Sequence, residues 1–399
     1  MSRNKEIILK PKKDDFLKRF HPWVFSGAIA SKPEGLTEGE TVKVLSSKTE
    51  FLGIGHYQIG SIAVRILSFQ NEEIDEGFYE KRISSAFNMR KNLNLIRPDN
   101  DTYRLVHGEG DNLSGLIIDI YGKAAVVQSH SLGMHSDRDI IANALRKVYH
   151  QIPLEYIYYK SEGTLPFKAD IQLDDYYIYG NSNLDEKENA IENGLKFKID
   201  WLKGQKTGFF IDQRENRSLL EQYSKSRHVL NMFSYTGGFS VYALRGGAVE
   251  VVSVDSSSKA LFSAEENVYI NFKNETRHTT YSEDGFKYLN NIPQNKYDLI
   301  VLDPPAFAKH RGAINNALQG YKRLNLAALN KIASGGILFT FSCSQAITKE
   351  QFRLAVFSAA TMSGRKVQIL HQLTQPADHP VNIYHPEGEY LKGLVLYVE

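Results

Sequence analysis

The chain has 399 residues, 42% hydrophobic and 24% charged, and a formal net charge of +2. Those proportions belong to a soluble globular protein, and the length asks for two or three cores rather than one. No run approaches the roughly 20 apolar residues of a membrane span, the first residues lack a secretory apolar segment, and a single cysteine rules out an internal disulfide and Cys/His zinc clusters; a cytoplasmic protein without membrane or metal is expected.

Charge is unevenly spread. Residues 1–71 carry 11 Lys/Arg against 7 Asp/Glu, residues 98–190 carry 8 against 15, and residues 191–399 carry 24 against 19. A basic head and tail around an acidic middle suit a polyanion held on two surfaces, although mild asymmetry also occurs on solvated faces.

Short apolar runs separated by Gly and Ser (Glu6–Leu9, Thr41–Leu45, Phe51–Tyr57, Ile62–Leu67) predict a small N-terminal β-barrel or half-barrel. Residues 75–95 carry Phe78, Ile83, Phe87 and Leu93 at helical spacing and predict a connecting helix. Strands return at Leu116–Tyr121, Ala124–Gln128, Tyr156–Lys160 and Tyr176–Tyr179 around a helix over Asp137–Tyr149, the pattern of an α+β domain. The polar run Gly180–Asn189 reads as a linker. Beyond Ile191, apolar strands at His228–Phe233, Val249–Asp255, Tyr297–Asp303 and Gly336–Ser342 alternate with helices around 237–246, 257–272, 315–333 and 348–363. Apolar strands with helical crossovers predict a doubly wound parallel sheet. The chain is thus multidomain, divided at 1–72, 73–190 and 191–399.

Ligands of such sheets bind beyond the carboxyl ends of the strands. The first end reads Asn231-Met-Phe-Ser-Tyr-Thr-Gly-Gly, where Gly237 and Gly238 permit a tight turn and close backbone approach to a ligand. The next strand ends at Asp255, able to accept both hydroxyls of a ribose or to cap the following helix. The phosphate-cradling G-x-G-x-x-G is missing, which suits a nucleoside without pyrophosphate such as S-adenosylmethionine. Asp284 stands where a carboxylate could meet an adenine amino group. Asp303 precedes two prolines, which stop a strand and hold the carboxylate rigidly; a turn without chemistry is the alternative.

The segments Leu230–Ser240, Val254–Ser257 and Leu302–Lys309 resemble class I methyltransferases, and most closely the bacterial 23S ribosomal RNA large-subunit methyltransferase I family, which makes 5-methylcytosine. The resemblance spans nearly the whole chain: His21–Ile29 resembles that family's PUA domain, an RNA-binding barrel, and His107–Asp119 its central domain. Gly204–Arg217 resembles the loop and strand that help close its cofactor pocket. The resemblance implies a PUA-like barrel, a central α+β domain and a Rossmann-like methyltransferase domain. Its cofactor is S-adenosyl-L-methionine, its product S-adenosyl-L-homocysteine, and its partner ribosomal RNA, with a homodimer allowed. The cofactor residues it implies are Lys206, Thr207 and Gln213 from the loop, then Phe233, Ser234, Tyr235, Thr236 and Gly237. Asp255 and Ser256, Asp284 and Gly285, and Asp303 with Pro304 complete that set.

Cytosine C5 is a poor nucleophile toward a methyl sulfonium, and the known solution is covalent addition of a thiolate at C6. The resemblance carries the nucleophile onto Cys343 and the base-orienting acid onto Asp303. A packed, inert thiol is the other reading of a lone cysteine. A second group of RNA cytosine-5 methyltransferases has another cysteine after the paired prolines; here Ala306-Phe-Ala stands there, so product release needs a different base. Lys309, His310 and Arg311 could hold phosphates beside the reacting base, which must leave its stack. Arg214 and Arg217 could serve RNA or cofactor, or form an exposed helix face. Phe307 could stack on a base or pack inside. His371, His379 and His385 match no standard metal spacing and are expected at the edge of a substrate cleft. Two other functions stay open: methylation of a guanine nitrogen, which needs no thiol, and an inactive RNA-binding assembly factor.

Overall fold

The computed structural model describes residues 5–165, 174–180, 188–308 and 310–399. Lys309 and most of the expected linker over 180–189 lie outside the described residues. The chain divides into two compact units. One comprises Met1–Ile191, Ile199–Ile211 and Ala377–Gly388; the other comprises Glu192–Lys198, Asp212–Pro376 and Glu389–Glu399.

The first unit opens with β1 (Lys5–Leu9), α1 (Asp15–Lys18), β2 (Trp23–Phe25), β3 (Ile29–Ser31), β4 (Thr41–Leu45), β5 (Phe51–Tyr57) and β6 (Ile62–Ser68). They form one sheet in the order β2-β6-β5-β4-β1-β3. Apolar residues at period two, Ile7 and Leu9, Val42 and Val44, Val64 and Ile66, point into a common core. A Cβ on Gly55 would stand 2.0 Å from the Arg65 carbonyl oxygen, so the pairing of β5 with β6 requires glycine there. Strands β2 and β3 have three residues each, too few to show a period, and the sequence reading lacks them.

Helix α2 (Glu76–Asn92) is the expected connecting helix, and Asp75 caps it by accepting from the Phe78 amide at 2.8 Å. It packs Phe78, Tyr79 and Ile83 into a second core. That core is built with β7 (Thr102–His107), β8 (Leu116–Tyr121), β9 (Ala124–Ser129), α3 (Leu132–Ser136), α4 (Arg138–Val148), β10 (Tyr156–Tyr159) and β11 (Tyr176–Tyr179). The sheet order is β11-β10-β9-β8-β7. Only β9 and β10, joined through the helices, run parallel. Strand β7 is an addition to the expected four.

A two-stranded pair, β12 (Glu188–Glu192) and β13 (Leu195–Ile199), follows. The second unit then alternates α5 (Arg214–Tyr223), β14 (His228–Met232), α6 (Gly238–Arg245), β15 (Glu250–Asp255), α7 (Ser258–Asn271), β16 (His278–Ser282) and α8 (Gly285–Asn291). It continues with β17 (Leu299–Leu302), α9 (Ile314–Lys331), β18 (Gly336–Ser342), α10 (Lys349–Ser363), β19 (Val367–Leu373) and β20 (Lys392–Val398). The seven strands are ordered β16-β15-β14-β17-β18-β20-β19. The first five are parallel, and β20 runs antiparallel to both neighbours. Leu230, Met232, Ile300, Leu302 and Leu338 bury one sheet face with Tyr321 and Leu324 of α9 and Phe352 of α10. Because β14 lies between β15 and β17, the strand order reverses there, and the carboxyl ends of β14 and β17 mark the switch point where such sheets bind ligands.

Candidate active site

Strand register brings the chemistry to one edge of this sheet. Met232 pairs with Val254 and Leu302, Asp255 with Ser282, and Leu302 with Thr340. The turn after β14, Asp255 at the end of β15, Asp284 past β16, Asp303 past β17 and Cys343 past β18 therefore leave the sheet on the same side.

The turn after β14 is wound tightly. Phe233, Tyr235 and Gly237 all have left-handed backbones, with φ of 58°, 46° and 77°, a conformation that costs a non-glycine residue about 1–2 kcal/mol. Asp255 offsets that cost. Its Oδ2 accepts from the Tyr235 amide at 2.9 Å and its Oδ1 from the Ser257 amide at 2.9 Å. Ser257, rather than Asp255, caps α7, its hydroxyl accepting from the Ala260 amide at 3.2 Å. Each carboxylate oxygen of Asp255 keeps a second lone pair. A Cβ on Gly237 would stand 2.7 Å from the Ala264 Cβ, and one on Gly285 would stand 2.8 Å from the Phe233 ring. Both contacts need glycine. The Thr236 carbonyl accepts from Asn267 Nδ2 at 2.9 Å, and Ser256 is exposed. Asp284 is exposed and caps α8 through the Lys287 amide at 2.9 Å. The Ser234 hydroxyl is buried without a hydrogen-bond partner among the described residues. Two carboxylates on neighbouring strand ends, a buried hydroxyl seeking a partner and a fixed aromatic ring fit a nucleoside ligand.

Lys206 and Thr207, also expected at the cofactor, belong to the first unit. There the Thr207 hydroxyl donates to Asp119 Oδ2 at 2.6 Å and lies 2.9 Å from the Tyr121 hydroxyl. That bonding gives Thr207 a structural task. Lys206 is exposed, with φ of 53°.

At the other side of the switch point, Gln213 Nε2 donates to Asp303 Oδ2 at 3.0 Å, and Asn216 Nδ2 donates to Gln213 Oε1 at 2.6 Å. Burial lifts the Asp303 carboxyl to about 7, and the neighbouring Asp212 carboxylate pushes the same way against the Gln213 hydrogen bond. Asp212 accepts from the Tyr390 hydroxyl at 2.7 Å. Pro304 is buried. Cys343 is half-buried, its Sγ 3.9 Å from the Pro304 carbonyl oxygen. Burial pushes its thiol up to about 12, with Asp303 and Asp212 adding to the effect and Lys392 opposing it. The resting thiol is protonated.

The flanking cations differ from expectation. Arg214 and Arg217 are 1% and 2% exposed, so neither lies on an exposed helix face. Arg217 forks onto Glu192 at 2.9 and 2.6 Å; a phosphate contact from Arg214 would require that side chain to leave its burial. Arg311 opens the short 3-10 helix Arg311–Ala313, and His310 is exposed. The Phe307 ring packs on Tyr321 with centroids 4.6 Å apart. The three tail histidines do not gather. His371 sits on β19 against the Tyr223 hydroxyl, 2.8 Å away, while His379 and His385 belong to the first unit, beside His107 and Trp23 respectively. Among the described residues no group of three or more His, Cys, Asp or Glu could hold a metal, and no helix is long and apolar enough to cross a membrane.

Sequence reasoning missed Asp212, Tyr390 and Lys392. Asp212 adjoins Gln213 in a segment already singled out and was within reach. Tyr390 lies just before β20 and Lys392 opens it, and neither is marked by a local motif.

Comparison with known proteins gives the family and the fold. Residues 138–383 match the S-adenosylmethionine-dependent methyltransferase family, and residues 7–69 match a PUA-like domain. "Ribosomal RNA large subunit methyltransferase I" of Tolumonas auensis is 40% identical over 397 residues, with 98% of each chain covered. The Escherichia coli protein of that name is 37% identical over 400 residues, covering 98% of this chain and 99% of the other. In fold, the chain is similar to a Streptococcus mutans protein described as a SAM-dependent methyltransferase, with a TM-score of 0.83 at 24% identity, covering 98% of this chain and 100% of that one. With relatives this similar along nearly its whole length, the chain belongs to the ribosomal RNA large subunit methyltransferase I family of S-adenosylmethionine-dependent methyltransferases.

Proposed function

We propose that this protein methylates C5 of a cytosine in large-subunit ribosomal RNA through a covalent adduct on Cys343. The observation that carries the reading is one thiol and one buried carboxyl on adjacent strand ends, with Cys343 Sγ 3.9 Å from the carbonyl of the residue after Asp303. S-adenosylmethionine, the family's cofactor, supplies an electrophilic methyl group. Phe233–Gly237, Asp255, Ser256, Asp284 and Gly285 would hold its nucleoside, with Asp303 and Pro304 at the reacting end.

In this reading the Cys343 thiolate adds to C6 of the base while Asp303 gives its proton to N3. The C5–C6 electron pair becomes available at C5, which takes the methyl group. A base then removes the C5 proton, the thiolate leaves C6, and Asp303 recovers the N3 proton. Gln213 positions Asp303 for both transfers. The target base must be unstacked to reach Cys343, and Lys309 and Arg311 are proposed phosphate contacts beside it. We retain a three-domain division at 1–72, 73–190 and 191–399, the first being the PUA-like RNA-binding part.

Nucleoside mass spectrometry on unmodified large-subunit RNA, after incubation with protein and S-adenosylmethionine, tests the proposal. Formation of 5-methylcytidine that is lost with Cys343→Ala supports it; a different methylated nucleoside overturns the role of the thiol. A second reading, transfer to a guanine nitrogen, needs no thiol, and in it Cys343→Ala keeps activity.

A further inference from the structure

Lys392 is a buried cation that the chemistry above leaves unused. It opens β20, is 4% exposed, and pairs in register with Ser342, the last residue of β18. Its Nζ donates to the Ser344 carbonyl at 2.6 Å. The lysine side chain therefore spans the segment whose middle residue is Cys343. Among the described residues no carboxylate lies within ion-pair distance of it; Glu389, the nearest acid along the chain, pairs with Lys349. An ammonium buried without an anion is costly, and a single carbonyl acceptor satisfies one of its three donors.

We propose that Lys392 is the counter-ion of the Cys343 thiolate, a positioning residue that raises the thiolate fraction of this thiol. The inference rests on Cys343 being the nucleophile. Burial, Asp303 and Asp212 oppose the thiolate and Lys392 favours it, so the lysine is the cation that acts against the two acids. Burial lowers the Lys392 ammonium to about 8, with Cys343 and Glu389 acting against that shift and Lys349 adding to it. When Lys392 is neutral, the thiol proton can pass from Sγ to Nζ, giving the thiolate–ammonium pair. When it is already charged, solvent takes the proton.

Cys343 is the only cysteine in the chain, so alkylation of the full-length protein by iodoacetamide reads its thiolate directly. The rate is followed between about pH 6.5 and 10 for wild type and Lys392→Met, each checked for cooperative melting and S-adenosylmethionine binding. Wild type is expected to react about tenfold faster near pH 7, as for a thiol shift of about one unit. That ratio should shrink toward one by about pH 10, where Lys392 has lost its charge. A ratio near one throughout, or one that does not change with pH, overturns the proposal. Should Lys392→Met fail to fold, Lys392→Arg decides: its charge persists, so its rate should match wild type near pH 7 and exceed it near pH 10. An arginine variant that follows the wild-type profile at high pH overturns the idea equally. Methyl transfer by Cys343→Ala tests the nucleophile separately, and either result can fail without the other.

Discussion

Gln213 donates from Nε2 to Asp303 Oδ2 at 3.0 Å, which leaves an acid at the switch point held by one neutral donor and no cation within ion-pair distance among the described residues. The nearby Asp212 makes ionisation harder still. The result is a carboxyl poised to be protonated near neutral pH, the property an acid needs when it must donate to a ring nitrogen and recover the same proton later.

That state has a consequence for stability. The folded carboxyl sits near 7, well above its ordinary 3.8. The folded protein therefore binds a proton that the unfolded chain has released, and the associated stability is lost as pH rises from about 4 to about 7. Asp303→Asn has no such loss. Its stability relative to wild type should rise by about 2 kcal/mol between about pH 5 and pH 8 in urea unfolding. An unchanged difference at the two pH values would show that Asp303 is ionised throughout.

Asp255 should matter to the cofactor in two ways, as a ligand for the ribose and as the tie that holds the left-handed turn at Tyr235. Asp255→Ala is expected to weaken S-adenosylmethionine binding about 10- to 100-fold, the range for losing hydrogen bonds to a charged group. Isothermal titration calorimetry measures it directly. Affinity within about twofold of wild type would remove Asp255 from the site.

What the sequence discloses and what it hides divide along contact range. Asp303 and Cys343 are legible because each sits just past an apolar strand, and β17 and β18 are parallel neighbours. Lys392 is not legible. Its partner is Ser342, and the intervening chain includes α10, β19 and residues 377–388 of the first unit, so no local pattern announces the pairing. Strand β7 joins a sheet whose other members are readable, but its six residues show no clean alternation. From the sequence, Arg214 and Arg217 could be RNA or cofactor contacts or an exposed helix face; what Arg217 meets is Glu192 on β12, a partner outside the helix that no local pattern announces.

Gly285 carries a prediction about shape. A methyl group there would stand 2.8 Å from the Phe233 ring, which must give way. Since Phe233 begins the turn that ends in Gly237, the displacement should reach the nucleoside pocket. Gly285→Ala is expected to lower S-adenosylmethionine affinity by about tenfold while costing about 1–3 kcal/mol of stability, the range for overpacking. Gly364→Ala is the control, since its Cβ would meet nothing within 4 Å. Its φ of 68° predicts a comparable loss of stability from backbone strain. Equal effects of the two variants on cofactor binding would show that Gly285 acts through stability alone.

The buried fork between Arg217 and Glu192 offers the clearest separation of architecture from chemistry. Both side chains are almost wholly buried, and the Tyr242 hydroxyl also donates to Glu192 Oε1 at 2.9 Å. Burial opposes the charge on Arg217, and Glu192 outweighs it, so the guanidinium stays ionised. Removing one partner leaves the other charge stranded, which costs about 3–5 kcal/mol, whereas removing both costs far less. Arg217→Met and Glu192→Gln should therefore each destabilise strongly in urea unfolding, and the double variant should recover much of the loss. The recovered protein should also bind S-adenosylmethionine with near wild-type affinity, because Arg217 acts here as a brace. A double variant that regains stability but not cofactor binding would assign Arg217 to the ligand instead.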